Sequence, residues 1–294
     1  MEGNQLVGLA LLIVAFFGSL INWMIVKIIV KAKSFNTSFM FLTFTKSLCD
    51  AVISTLYLVY VTPTVILADK FLSTNSWYIG YVILVSNDIS MNTHFITSLN
   101  RFSAVFFPIP FRSLFSIEST RIYLVIAASI SLVILTTVHF FLGCHIQYDP
   151  YSWMFFYNTT IPVCNWFMTY GDFVKNLCMT SIDFGIDIVT LFKIQRIRRQ
   201  FKRGQRSESF SQKQTNFLKQ TFGQSFCYVI AYANYLIVPE MYANKYMAFF
   251  MSVMSWCVIS LVAGLFTTVY NCEIRKKLAE KPFKIGTTPT SGKL

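Results

Sequence analysis

Charge is what this sequence has least of. Asp, Glu, Lys and Arg make up only 13% of its 294 residues, about half the roughly 25% of an ordinary soluble domain. Apolar residues reach 54%, with 30 Phe, 15 Tyr and 5 Trp, and so few charges cannot clothe that much oily surface in water. The balance argues against a soluble enzyme, a disordered chain and a collagen-like chain, and leaves an integral membrane protein. Cysteine is also sparse: seven scattered residues do not make a disulfide-dense secreted scaffold. Three His cannot build a zinc site alone. There is no His-Glu-x-x-His, Gly-x-Ser-x-Gly, P-loop or Cys/His metal spacing, so neither enzymatic activity nor a metal or cofactor is expected.

What the chain does have is long uncharged runs. Residues 6–26, 122–148, 220–239 and 246–272 carry no charge in 21, 27, 20 and 27 residues respectively. A helix needs about 20 apolar residues to cross a bilayer. Three further runs are interrupted by polar residues: 38–67 by Lys46 and Asp50, 77–105 by Asp88, His94 and Arg101, and 172–194 by Asp183 and Asp187, with Lys175 and Lys193 near its ends. Residues 150–171, with Pro150, Pro162, Asn158 and Asn165, read as loop. Transmembrane β-strands are short and strictly alternating, which these runs are not. The expected fold is an all-α membrane protein, a seven-helix bundle with spans near 6–30, 38–67, 77–105, 122–143, 172–194, 216–238 and 247–270. One domain covers 1–275 and a short tail 276–294. Only five residues precede the first run and no basic segment leads it, so a cleaved leader is not expected.

Lys and Arg orient the bundle. With the N-terminus outside, 22 of the 25 basic residues fall in cytoplasmic segments and only Lys70, Lys175 and Lys245 outside. The positive-inside rule then puts the C-terminus inside, and anionic lipid accounts for the net charge of +12 without nucleic acid. That orientation opposes a seven-helix channel subunit with an internal N-terminus. A secondary transporter usually shows repeated halves with broken helices, which are absent; the midplane Asp183 and Asp187 are what favour it as the alternative.

Asn22, Asp50 and Arg101 are separated by 28 and 51 residues, close to the asparagine, aspartate and arginine of the first three helices of rhodopsin-like receptors. The segments TSLNRFSAVFFPIPFRSLF (97–115), CNWFMTYGDFVKN (164–176), DIVTLFK (187–193), QTNFLKQT (214–221) and YNCEIR (270–275) together resemble nematode serpentine receptors of class X, over roughly 6–275. The last helix lacks Asn-Pro-x-x-Tyr, the sixth lacks Cys-Trp-x-Pro, and the fourth has no Trp. The resemblance implies an orphan chemosensory G-protein-coupled receptor in sensory-neuron plasma membrane, cilia included. It would bind a small environmental chemical from outside and signal to a heterotrimeric G protein. For Asp50 it implies a buried carboxylate that holds sodium, although Lys46, one turn away, offers to neutralise it or to snorkel to the inner surface. For Arg101, with Asn100 and Phe102, it implies a coupling role at the inner mouth. Asn100 stands where an acidic neighbour would form a lock, so any lock must use another partner.

Ionisable groups within spans mark functional sites by default. In the third span Leu84, Asn87, Met91, His94, Ser98 and Arg101 recur every three or four residues and share one face, which points into the bundle. The fifth repeats this with Asn176, Thr180, Asp183, Asp187 and Thr190. Asn87, Met91, Asn176 and Thr180 are the expected ligand contacts. Asn22, Lys46, Asp50, His94, Asp183 and Asp187 are expected in a deeper polar network, the plainer reading being interhelical hydrogen bonds. The usual receptor disulfide begins atop span three, where no Cys lies between 71 and 95; a bridge between Cys144 and Cys164 within the following outer loop is expected instead. Cys49, Cys178, Cys227 and Cys257 read as small fillers. Asn158-Thr159-Thr160 is a glycosylation acceptor. Inside, the basic run 195–203, with Arg198 and Arg199, suits lipid or an acidic G-protein surface, and Ser207, Ser209 and Ser211 are candidate phosphosites. Ile274, Leu278 and Phe283 among basic residues suggest an interfacial helix, beside a candidate palmitoylation site, Cys272.

Overall fold

The computed structural model describes residues 3–32, 35–157, 160–200, 205–237 and 244–279, without the side chains of 198, 200, 205–214 and 235–237. Seven long helices follow in order: α1 (Gly3–Lys31), α2 (Ser38–Leu67), α3 (Lys70–Phe106), α4 (Ile117–Phe141), α5 (162–200), α6 (Gln205–Ile237) and α7 (Lys245–Tyr270). Short helices at Pro108–Leu114 and Cys272–Ala279 flank them. By length and apolarity alone α1, α2, α4 and α7 could cross a membrane; α3, α5 and α6 are the more polar ones. Many of their polar residues, among them Asp88, His94, Asn176, Asp183, Asp187 and Gln224, are buried in the bundle, as the rule that every polar group in lipid must find a partner requires.

Side-chain chemistry explains where the helices start. Thr37, Asp69, Ser116 and Asn244 each accept a backbone N–H at the first turn of α2, α3, α4 and α7, the usual N-cap arrangement. Asn271 caps the terminal helix by accepting from Glu273 and Ile274. Pro162 opens α5, where its missing N–H costs nothing. The stretch read as loop, 150–171, is therefore corrected: residues 154–157 form a strand, residues 162–171 are already the beginning of α5, and Pro162 is a helix start.

In α1, Val7, Leu11, Ala15, Asn22, Ile25 and Ile29 are buried while Ile13, Phe16 and Leu20 on the other side are about half exposed. α4 bares Val125 and Val133 in the same way. Such apolar faces suit lipid. α3 runs through the middle, packing on α2, α4, α5 and α6, while α7 closes the ring onto α1, α2 and α6.

At the end that carries Gly3, an antiparallel hairpin of β1 (Ile146–Asp149) and β2 (Met154–Tyr157) pairs Ile146 with Tyr157 and Asp149 with Met154. The Asp149 carboxylate accepts from Tyr151 and Ser152 to shape its turn. Tyr148 donates its N–H to Ser76 Oγ at 2.8 Å. The Cys144–Cys164 disulfide joins the strand approach to the start of α5. Gly80 lets β1 lie directly on α3, since a Cβ there would meet the Ile146 carbonyl oxygen at 2.5 Å. Burial of the Tyr148 ring beside Asp149 pushes its phenol above the usual range, so it stays a neutral packing group. At the opposite end the terminal helix seats Ile274, fully buried, among Ile25, Ile29, Phe39, Met40 and Phe217.

A lidded cavity and a covered arginine

Among the described residues four π-helical stretches occur: Tyr57–Val61 in α2, Thr137–Phe141 at the end of α4, Phe167–Val174 in α5 and Phe250–Met254 in α7. Such turns re-aim side chains and concentrate at functional sites. Three of the four here supply walls of one cavity: Tyr57; Met168, Asp172 and Phe173; Ser252 and Val253. The cavity measures about 110 Å³ and is completed by Ile83, Leu84 and Asn87 of α3, Tyr228 and Tyr232 of α6, and Trp256 of α7. Ile146, Phe155 and Tyr157 of the hairpin roof it, and Asp50 lies at its floor.

Of the four expected ligand contacts, Asn87 lines this cavity; Met91, Asn176 and Thr180 do not. Met91 is packed against Tyr228 and Ile259. Asn176 donates to Asp172 at 2.8 Å, and the Thr180 hydroxyl donates back to the Asn176 carbonyl. Straight helical counting placed Asn176 at the wall, but the π turn ending at Val174 rotates the segment before it. Asp172 and Phe173 face the cavity instead. The sequence did hold a signal for the wall that spacing missed: Tyr228 and Tyr232, one turn apart in the uncharged run of α6, bring hydroxyls into a region that otherwise has no use for them.

Below the cavity the polar residues connect the helices. Lys46 Nζ bonds Asp50 Oδ2 at 3.1 Å, Tyr228 Oη at 2.8 Å and Ser90 Oγ at 3.2 Å, and Ser90 donates to Asp50 Oδ1 at 2.9 Å. With both Asp50 oxygens taken, one by the ammonium of Lys46, the residues do not fit the sodium ion that the resemblance implied; the chain brings its own cation. Lys46, 6% exposed, does not snorkel. Deeper still, His94 Nε2 lies 2.8 Å from Ser225 Oγ, which donates to Asp187 Oδ2 at 2.9 Å, and Thr221 reaches Asp187 Oδ1 at 3.4 Å. His94 and Asp187 thus meet through Ser225. Asp183 is fully buried, and neither of its oxygens has a hydrogen-bond partner among the described residues. Asn22 ties α1 to α7 by donating to the Ser260 carbonyl at 2.9 Å.

At the far end Arg101 is 6% exposed. Its guanidinium lies 3.5 Å from the centre of the Phe39 ring and 4.7 Å from that of Phe217, with Asp187 and Glu273 the carboxylates acting on it. Asn100 is buried and donates to Ser38 Oγ at 3.1 Å, so it braces α2 and does not face out. Phe102 stacks on Phe106 at 4.5 Å. Arg199 is exposed on α5; the side chain of Arg198, and Asn158 with Thr159, lie outside the described residues, as do Phe283 and the side chains of Ser207, Ser209 and Ser211. Of the cysteines expected to fill gaps, Cys257 is buried but Cys178 is exposed, on the face of α5 turned from the bundle.

A roofed cavity at one end, a covered arginine at the other and polar side chains between them describe a seven-helix receptor. The structure matches the crystal structure of squid rhodopsin with a TM-score of 0.77, at 12% identity, over 95% of this chain and 85% of that one. The fold is rhodopsin-like. Family-level similarity is more specific: the family described as serpentine type 7TM GPCR chemoreceptor Srx matches residues 12–271, and the chain belongs to it. Serpentine receptor class X 45 of Caenorhabditis elegans is 22% identical over 314 residues, covering 98% of this chain and 86% of that protein. The chain is thus a multi-pass membrane receptor of a non-enzymatic class.

Proposed function

We propose that this chain is a chemosensory receptor of the plasma membrane, in sensory cilia, with its N-terminus and hairpin outside. It takes up a small external chemical in the cavity and signals to a heterotrimeric G protein at the Arg101 end. The observation that carries this reading is the cavity, walled by three π-helical turns and the α6 tyrosines beneath a disulfide-anchored hairpin. The gathering of basic residues toward the Arg101 end supports the orientation, and Asn158 would then be glycosylated on the outer side.

The geometry offers a route for the signal. Tyr228 and Tyr232 touch the cavity, and Phe217, on the same helix, covers Arg101. Eleven residues, about 16 Å of rigid helix, separate Tyr228 from Phe217. A ligand that draws the cavity end of α6 inward would tilt its other end away from Arg101. The guanidinium, Phe102 and the basic end of α5, with Arg198 and Arg199, would then face a G protein. Such a ligand need only bind the uncovered arrangement more tightly than the covered one. Met91, Asn176 and Thr180 support the wall, and the His94–Ser225–Asp187 chain joins α3, α6 and α5 as they move.

The test is a calcium or cyclic-nucleotide response in cells expressing the receptor and challenged with a chemical panel. Asn87→Leu should shift or abolish the response to an active chemical, and Arg101→Ala should abolish signalling while binding persists. Responses indifferent to both variants would refute the reading. Uptake of a labelled chemical by proteoliposomes, without nucleotide exchange on an added G protein, would turn it toward transport.

A further inference from the structure

If the cavity is the ligand site, as proposed above, its walls restrict what it takes. Its two charged residues are carboxylates, Asp50 and Asp172, and among the described residues no Lys, Arg or His lines it. Asp50 is neutralised by Lys46. Among the described residues Asp172 accepts from two neutral donors, the Tyr157 hydroxyl at 3.0 Å and the Asn176 amide at 2.8 Å. The ammonium that acts on it, Lys175, is ion-paired with Asp88. Two carboxylates therefore share one ammonium, and a negative charge is left over beside a low-dielectric space, where an uncompensated charge is costly.

The rest of the wall fits the missing partner. The Tyr232 ring sits 6.4 Å from that of Phe173 and 5.1 Å from that of Trp256, at 80° to the latter. All three rings line the cavity, and an aromatic face attracts a cation. The Tyr232 hydroxyl, on a residue 3% exposed, lies beside Asn87 and close enough to Asp172 to feel its charge, so a further acceptor oxygen stands next to the acid. An anionic ligand would meet Asp172 as a like charge. A volume of about 110 Å³ is smaller than the ~150 Å³ that accommodates benzene, so it suits a short aliphatic body and not an aromatic ring.

We propose that the cavity selects a small organic cation, an amine or quaternary ammonium on a short aliphatic body, with its charge between Asp172 and the faces of Phe173 and Tyr232.

The experiment uses the full chain, tagged for surface expression, in cells with a calcium readout. The probes are matched pairs, propylamine with propanol and tetramethylammonium with tert-butanol, plus propionate as an anion. A charge-assisted hydrogen bond predicts an amine more potent than its alcohol by about 10- to 100-fold. Asp172→Asn should remove most of that margin and Asp172→Glu keep part of it. Should Asp172→Asn fail to reach the surface, Phe173→Leu carries the test, with an expected loss of about 2- to 30-fold for the amine alone. Alcohols or propionate as potent as the amines, amine potency unchanged by Asp172→Asn, or no amine response from surface-expressed receptor would each overturn the proposal. An uncharged agonist abolished by Asn87→Leu would sink the cation and leave the cavity standing. Amine responses untouched by Asn87→Leu, Asp172→Asn and Phe173→Leu together would sink the cavity as well.

Discussion

At the scale of single residues, the membrane makes each buried charge an obligation, and Lys46 shows how one is met. Its ammonium satisfies Asp50, Ser90 and Tyr228 together and so fastens α2 to α3 and α6. Lys46→Met should leave Asp50 as an uncompensated buried charge and destabilise the receptor by about 3–5 kcal/mol. The double change Lys46→Met with Asp50→Leu should recover most of this, as measured by thermal unfolding in detergent. A double variant no more stable than the single one would show that the pair is not the cause. Loss of the Cys144–Cys164 bridge by Cys144→Ser should cost about 2–4 kcal/mol, read as a lower unfolding midpoint that added reductant does not lower further.

At the scale of elements, departures from regular helix matter more than the helices. The π turns in α2, α5 and α7 bring Tyr57, Asp172, Phe173 and Ser252 onto one space, and the hairpin closes it because Gly80 has no Cβ to hold it off. Gly80→Leu should push the hairpin from α3, leaving the bundle folded and the cavity unroofed. Potency for any cavity agonist should fall at least about tenfold, the scale of one lost tight contact, and protease nicking near Trp153 should increase. Normal potency with an intact hairpin would contradict the roof assigned to it.

At the scale of the whole molecule, the two ends are held in opposition. Phe217, carried by α6, covers Arg101 while Tyr228 and Tyr232 face the cavity. Removing the cover should favour the signalling arrangement before any ligand arrives. Phe217→Ala is expected to raise basal nucleotide exchange on an added G protein about 2- to 30-fold, the range of a cation–π contact. Unchanged basal exchange would mean that the ring does not hold the arginine. Tags at the two termini should stain from opposite sides of the membrane in intact and permeabilised cells, and staining of both from one side would refute the proposed orientation.

Composition and patterning by themselves determined that this chain is a helical membrane protein. Charge is too scarce for water, and a helix in lipid needs only its own backbone and an apolar surface. The face of α3 bearing Leu84, Met91, His94, Ser98 and Arg101 was legible for the same reason: period and burial coincide along an uninterrupted helix. What only tertiary structure decided is which residues meet. Helical counting carried Asn176 to the cavity wall, and the π turn before it put Asp172 there instead. Pro162 read as a breaker and proved to be a start. The company of Lys46 and of Arg101 comes from α3 and α6 and from α2 and α6, helices whose separation in sequence says nothing of their angle. A backbone period is local and survives in the sequence, whereas a cavity is a relation among distant helices that packing alone settles.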